Sequence, residues 1–292
     1  MQNDTSVCPF KLAKVLVCTD DSPQSHGAIK AGVELGRTTG CQVHLLQVLE
    51  LAAFVEYSQP EPLAIPPQVM TDLLEVRQKA ARENLSAWQA EADRQGVRIE
   101  IHLRVGANIL QEILEVIEEL KPELILMGRR GHSGISRLLL GSISARVVGH
   151  SPVNVLLVPQ EAGLRFEKLL VASDGSPFSA LACREAMDMA ERCGSSLLAL
   201  VVAHGDLSSS IAADLLTKLE AEAEGRRLHL KTLALEGRPY EVILEVAQQQ
   251  AVDLIILGSH GRTGLKRLLM GSVAERVAGQ ARCPVLVVKG TP

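Results

Sequence analysis

At 292 residues the chain is long enough for two domains of ordinary size, each able to bury its own core. A formal charge of −4 with both signs interspersed, only 2% aromatic residues and apolar runs no longer than a strand exclude a basic nucleic-acid surface, an aromatic stacking platform and a membrane span. The N-terminus has no charged stretch followed by a long apolar core, so a soluble, cytoplasmic chain with no nucleic-acid and no membrane partner is expected.

The first predicted strand, Ala13–Cys18, ends in Thr19-Asp20-Asp21-Ser22-Pro23, where an Asp or Ser cap ahead of a proline marks a helix start. The helix continues at helical spacing through Ala28, Ala31 and Leu35 to Gly40, and a second strand spans Val43–Leu49. The segment Glu50–Pro67 carries Pro60, Pro62, Pro66 and Pro67, too many for a helix or a central strand. A long helix from about Val69 to Gln95 follows and stops at Gly96; after it come a strand, Ile99–Val105, and a helix, Ile109–Leu120.

The apolar run Leu124–Met127 then feeds Gly128-Arg129-Arg130-Gly131, and nine residues later Gly141-Ser142 opens a helix through Ile143, Ser144 and Val148. Glycine permits positive φ and close approach of a bulky group, and the first amides of a helix welcome an anion. An ordinary turn with a Gly-Ser helix cap would explain one such loop equally well. The pattern occurs again, with the same spacing, in Gly258-Ser259-His260-Gly261 and Gly271-Ser272-Val273 after the run Leu254–Leu257.

The repetition extends to the rest of the chain. After a last strand Val153–Val158 and a linker Pro159–Leu164, the strand Lys168–Ser173, the helix start Asp174-Gly175-Ser176-Pro177 and the strand Leu197–Val202 restart the order. Early matches are offset by 154 residues and later ones by 130, and the proline-rich segment with a longer helix after it accounts for the extra length of the first half. Strands alternating with helices predict two tandem doubly wound parallel-sheet α/β domains, residues 1–159 and 165–292, with ligands beyond the carboxyl ends of the strands.

Six cysteines, Cys8, Cys18, Cys41, Cys183, Cys193 and Cys283, show no metal or redox spacing and read as reduced and structural. The histidines, His204 and His229 among them, form no cluster along the chain and read as surface residues or supports behind a site. Residues Gly131–Ile135 only briefly look like a hydrolase elbow, and no Walker-type loop occurs.

A Thr/Ser-Asp pair closing the first strand, with G-x2-G-x9-G-[ST] after a later one, resembles the universal stress protein family, twice over nearly the whole chain. The intact glycines are similar to those of its ATP-binding branch. That resemblance implies Rossmann-like domains of the adenine nucleotide alpha hydrolase type, each holding one ATP with Mg2+ or Mn2+, in a nucleotide-responsive stress regulator with little or no hydrolysis. The alternative is a slow ATPase or nucleotidyl-transfer enzyme using the same loops, although the sequence supplies no obvious general base.

Carried over residue by residue, the resemblance implies adenosine contacts from Asp20 and Val48, then Asp174 and Val202. It implies ribose and phosphate contacts from Gly128 and Gly131, then Gly258 and Gly261. It implies phosphate contacts from Gly141, Ser142, Ile143 and Ser144, then Gly271, Ser272 and Val273. For Asp20 and Asp174 a plain helix cap is the competing reading. Arg129 and Arg130 of the first loop, replaced by Ser259 and His260 in the second, join the expected contacts, and Ala274 in place of Ser144 removes a hydroxyl that could reach phosphate or metal.

The strands Val153–Val158 and Val285–Val288 each close their half and, as edges, favour pairing. Single-domain family members are similar in dimerising through this strand. The short linker leads us to expect antiparallel pairing within one chain, an internal pseudo-dimer, with a homodimer or independent halves as alternatives.

Overall fold

The computed structural model describes residues 12–50, 67–131, 140–262 and 270–290. Most of the proline-rich segment and the inner parts of both glycine loops lie outside these residues.

The first half runs β1 (Lys14–Thr19), a 3-10 turn at Pro23–Ser25, α1 (His26–Thr39), β2 (Gln42–Glu50), α2 (Pro67–Arg94), β3 (Ile99–Gly106), α3 (Ile109–Leu120), β4 (Leu124–Gly128), α4 (Ser142–His150) and β5 (Asn154–Val158). The second repeats it as β6 (Lys168–Ser173), α5 (Pro177–Cys193), β7 (Ser196–Ala203), α6 (Ser209–Gly225), β8 (Leu230–Glu236), α7 (Pro239–Gln249), β9 (Leu254–Gly258), α8 (Ser272–Gln280) and β10 (Val285–Val288). Proline at 23 opens a 3-10 turn ahead of α1, within which Ser25 Oγ donates to the Ser22 carbonyl at 2.8 Å. Helix α2 has 28 residues against 17 in α6, which supplies part of the first half's extra length.

All ten strands form one sheet in the order β3-β2-β1-β4-β5-β10-β9-β6-β7-β8. Every neighbouring pair is parallel except β5 and β10, which run antiparallel with Val155 opposite Val287, Leu156 opposite Leu286 and Leu157 opposite Val285. Leu156 and Leu286 are 130 residues apart, the spacing of the repeat, so each faces its own counterpart and a pseudo-twofold passes between them.

Strand alternation divides the core into two layers. One packs α1, α2, α5 and α6 against Val15, Val17, Leu156 and Leu286; the other packs α3, α4, α7 and α8 against Leu16, Val155, Leu157 and Val287. Both layers cross from one half to the other, so the residues of the antiparallel seam are buried in the same apolar layers as each half.

Cys18, Cys41, Cys183 and Cys283 are free thiols, and burial pushes Cys18 up to about 12 and Cys183 and Cys283 up to about 11. Cys193 departs from the reduced reading: it is disulfide-bonded. Strand pairing also brings together two histidines distant in sequence, His44 and His102, so the expectation of dispersed histidines fails there. Among the described residues no helix is long and apolar enough to cross a membrane.

Candidate functional site

The strand order turns at β1 and β4 in the first half and at β6 and β9 in the second, which opens a crevice beyond their carboxyl ends. Strand β1 ends at Thr19, opposite Gln47, while β2 runs on to Glu50 and pairs there only with β3. The β1 side of Val48, Leu49 and Glu50 therefore has no ladder partner. The second half repeats this, with Val202 and Ala203 running past the end of β6.

A cavity of about 600 Å³ fills the first crevice and one of about 360 Å³ the second. Of the residues the sequence nominated, all in the first half except Arg129 line the first cavity, and all in the second half except Ser259 line the second. The two exceptions have a common cause. Each follows the last residue of a strand, and strand alternation turns its side chain away from the crevice.

Arg129 therefore does not line the first cavity. Its guanidinium crosses to the second half and donates to the carbonyls of Gly279, at 3.3 Å, and Ala281, at the C-terminal end of α8. Burial, with Arg130 beside it, pushes its pKa down. Arg130 lines the cavity and also donates to the Gly279 carbonyl at 3.1 Å. Ser259 is buried and its hydroxyl faces Nδ1 of His260 at 3.1 Å, while the His260 ring lies against Phe178 with centroids 5.0 Å apart.

None of the six described loop glycines has a positive φ; close approach is what each needs. A Cβ on Gly128 would lie 2.7 Å from the Gln24 carbonyl oxygen, and one on Gly258 2.7 Å from the Phe178 carbonyl. A Cβ on Gly131 would run into Oδ2 of Asp20, and one on Gly261 would sit 2.7 Å from Oδ2 of Asp174. The first glycine of each motif thus packs against chain leaving the first strand, and the second makes room for the strand-end carboxylate.

Those carboxylates are not helix caps. Oδ1 of Asp20 accepts from the Ser22 amide at 3.1 Å and hydroxyl at 2.6 Å. Oδ1 of Asp174 accepts from the Ser176 amide at 3.0 Å and Oδ2 from the Arg262 amide at 2.9 Å, and the cap of α5 is Ser176 itself. Each aspartate fixes the turn after the first strand, and Asp174 also ties that turn to the glycine loop.

The loop is closed at its neck. Gly141 N–H donates to the Arg129 carbonyl at 2.8 Å and Gly271 N–H to the Ser259 carbonyl at 2.9 Å, which removes those two amides from phosphate binding. Helix α4 makes its first internal bond from Ala145 N–H to the Gly141 carbonyl, so the amides of Ser142, Ile143 and Ser144 precede any intrahelical partner and the glycine cap offers no side chain. The Ser144 hydroxyl is buried and donates to the Gly128 carbonyl at 2.9 Å, holding β4 to α4.

Among the wall residues that the sequence reading did not nominate, Arg77 and Gln47 carry long polar side chains. Arg77 reaches the first cavity from α2, and no local pattern singles it out. Gln47 is buried in an otherwise apolar strand, and its Oε1 has no hydrogen-bond partner among the described residues. A lone amide inside such a run was the available signal. Its register counterpart in the second half is Val201.

Comparison with known proteins supports one conclusion. The universal stress protein family matches residues 11–159 and again residues 165–289. A universal stress protein of Mycolicibacterium smegmatis is 31% identical over 300 residues, covering 94% of this chain and 96% of its own length. One from Methanocaldococcus jannaschii is 36% identical over 140 residues, 42% of this chain and 82% of its own. The crystal structure of a universal stress protein from Archaeoglobus fulgidus shares the fold, with a TM-score of 0.74 at 24% identity over 96% of this chain and 99% of that one. The chain belongs to the universal stress protein family and carries two of its domains in tandem.

Proposed function

We propose that each half binds one adenine nucleotide, ATP with Mg2+ or Mn2+, and that the protein is a cytoplasmic stress regulator whose state follows nucleotide occupancy, with little or no hydrolysis. The observation that carries this reading is that in each half a helix N-terminus and a strand-end aspartate open on one cavity. The amides of Ser142, Ile143 and Ser144, and of Ser272 and Val273, suit polyphosphate because the helix dipole adds positive potential where the donors are free.

The residues present fit an adenosine as well. Asp20 and Asp174 are acceptors for ribose hydroxyls or an adenine amino group, and the bare acceptor of Gln47 in the first cavity lacks the donor that an adenine amino group or ribose hydroxyl would supply. The divalent ion enters with the phosphates. The sites are unequal: the second cavity is smaller and has Val201 for Gln47.

Calorimetry of the full chain with ATP and Mg2+ should give two sites of different affinity, with the weaker in the second half, and negligible phosphate release over the same period. Absence of binding at millimolar ATP would refute the reading. Rapid stoichiometric phosphate release would replace the regulator by an ATPase.

A further inference from the structure

Away from the nucleotide crevice, on the outermost strand pair of the first half, three donors converge. His44 of β2 and His102 of β3 bring Nδ1 and Nε2 to 3.0 Å, and the Glu100 carboxylate lies 3.7 Å from each of these nitrogens, through Oε2 and Oε1 respectively. His44 stands four residues before Val48 on β2, so the cluster is on the order of 13 Å from the crevice edge at strand rise. We propose that His44, His102 and Glu100 form a Zn2+ site of their own, with two imidazoles, one carboxylate and a fourth position open to solvent.

The geometry fits that ion. Four-coordinate zinc with bonds of about 2.0–2.1 Å places neighbouring donors about 3.3 Å apart; the two ring nitrogens are 3.0 Å apart, each is 3.7 Å from a different oxygen of Glu100, and one donor atom from each residue lies within 4.8 Å of the others. Two imidazoles with a carboxylate form a borderline donor set, suited to Zn2+ and poorly matched to Mg2+ or Ca2+, which prefer all-oxygen shells. Exposure rises across the cluster, with the side chains of His44 at 4%, His102 at 17% and Glu100 at 67%. An ion enters from the Glu100 side, where edge strand β3 has no further neighbour among the described residues.

The repeat shows that the fold does not require this arrangement. His44 faces Glu100 in register and Leu46 faces His102; the matching positions of the second half hold Leu198 facing Lys231 and Leu200 facing Leu233. Two leucines complete the same layer there, so the imidazoles are a local addition. Burial pushes both histidines below their ordinary pKa, against the pull of Glu100. The nearby Arg104 is engaged by Glu119 of α3.

Without metal the close imidazoles share one N–H as an ordinary hydrogen bond. Binding requires the tautomers in which Nδ1 of His44 and Nε2 of His102 both present lone pairs, which puts the His44 proton on its buried Nε2, where no acceptor lies among the described residues. No proton is lost overall.

The test uses the full, tag-free chain, stripped with a chelator and titrated with Zn2+ against a chromophoric competitor. The wild type should take one tight equivalent, and Co2+ in its place should give the strong visible bands of four-coordination. His44→Leu/His102→Leu, which borrows the second half's residues, should fold and lose that equivalent. Glu100→Gln, at an exposed position, should weaken it by about tenfold or more, since even groups that merely support a ligand cost that much. No uptake by the wild type, or uptake unchanged in these variants, overturns the proposal; if the double variant fails to fold, Glu100→Gln alone decides.

Discussion

The carboxylate of Asp20 occupies the space that a side chain on Gly131 would need: a Cβ there would meet Oδ2 directly. The loop glycine and the strand-end acid are therefore one unit. Gly131→Val should displace Asp20 and weaken nucleotide binding in the first half by about tenfold or more, equivalent to about 1.4 kcal/mol. Gly128→Val should instead lower the melting temperature, because its side chain would strike the Gln24 backbone. Calorimetric titration and thermal unfolding separate the two. Equal losses of stability would show that both glycines serve packing alone.

Gln47 offers a second test, on the opposite sign. A buried acceptor without a partner costs about 1–3 kcal/mol, and Val201 shows that the register position accepts an apolar residue. Gln47→Leu should stabilise the nucleotide-free chain by about 1 kcal/mol and weaken ATP at the first site. Denaturant unfolding with and without ATP measures both. A variant that is less stable without nucleotide would place Gln47 in the core's support instead.

Much of the fold was legible because its signals are local. Apolar runs of strand length, Gly40 and Gly194 in left-handed conformation after helices, and Asn108 capping α3 with its side chain all act within a few residues. The repeat also exposed the loop spacing, which places most of the nominated residues around two cavities. What the pattern could not convey was direction. Arg129 is a cation beside a phosphate-type loop, yet it turns to the other half because it follows β4 by one residue; Ser144 is a hydroxyl at a helix start, yet it points back to Gly128. The meeting of His44 with His102 depends on strand register, which sequence spacing does not reveal.

Ser144 permits a direct test of its direction. Its hydroxyl is buried and spent on the Gly128 carbonyl, so Ser144→Ala should cost about 1 kcal/mol of stability and leave ATP affinity at the first site within about twofold, well under the 1.4 kcal/mol of a tenfold change. Chemical denaturation and calorimetry give the two numbers. A large loss of affinity with unchanged stability would return the hydroxyl to the phosphate.

The halves also exchange cations, and this gives the last prediction. Arg129 from the first half donates to the C-terminal carbonyls of α8, and Lys289 from the second donates to the Val148 and Gly149 carbonyls at 2.8 and 3.3 Å, near the end of α4. The two contacts are related by the pseudo-twofold although the residues are not: the counterpart of Arg129 is Ser259, and the work on α4 passes to a lysine beyond β10. A cation at a helix C-terminus satisfies orphan carbonyls and opposes the dipole, worth about 0.3–1 kcal/mol when exposed and up to about 2 when partly buried. Arg129→Ala and Lys289→Ala should each lower stability by about 1–2 kcal/mol, and their effects should add because they share no partner. Since the Arg129 side chain does not line the cavity and the loop neck uses only its carbonyl, Arg129→Ala should leave ATP affinity at the first site nearly unchanged. Arg130→Ala should weaken it, because that side chain does reach the cavity. If Arg129→Ala abolished nucleotide binding while stability held, its guanidinium would have to leave α8 for the nucleotide.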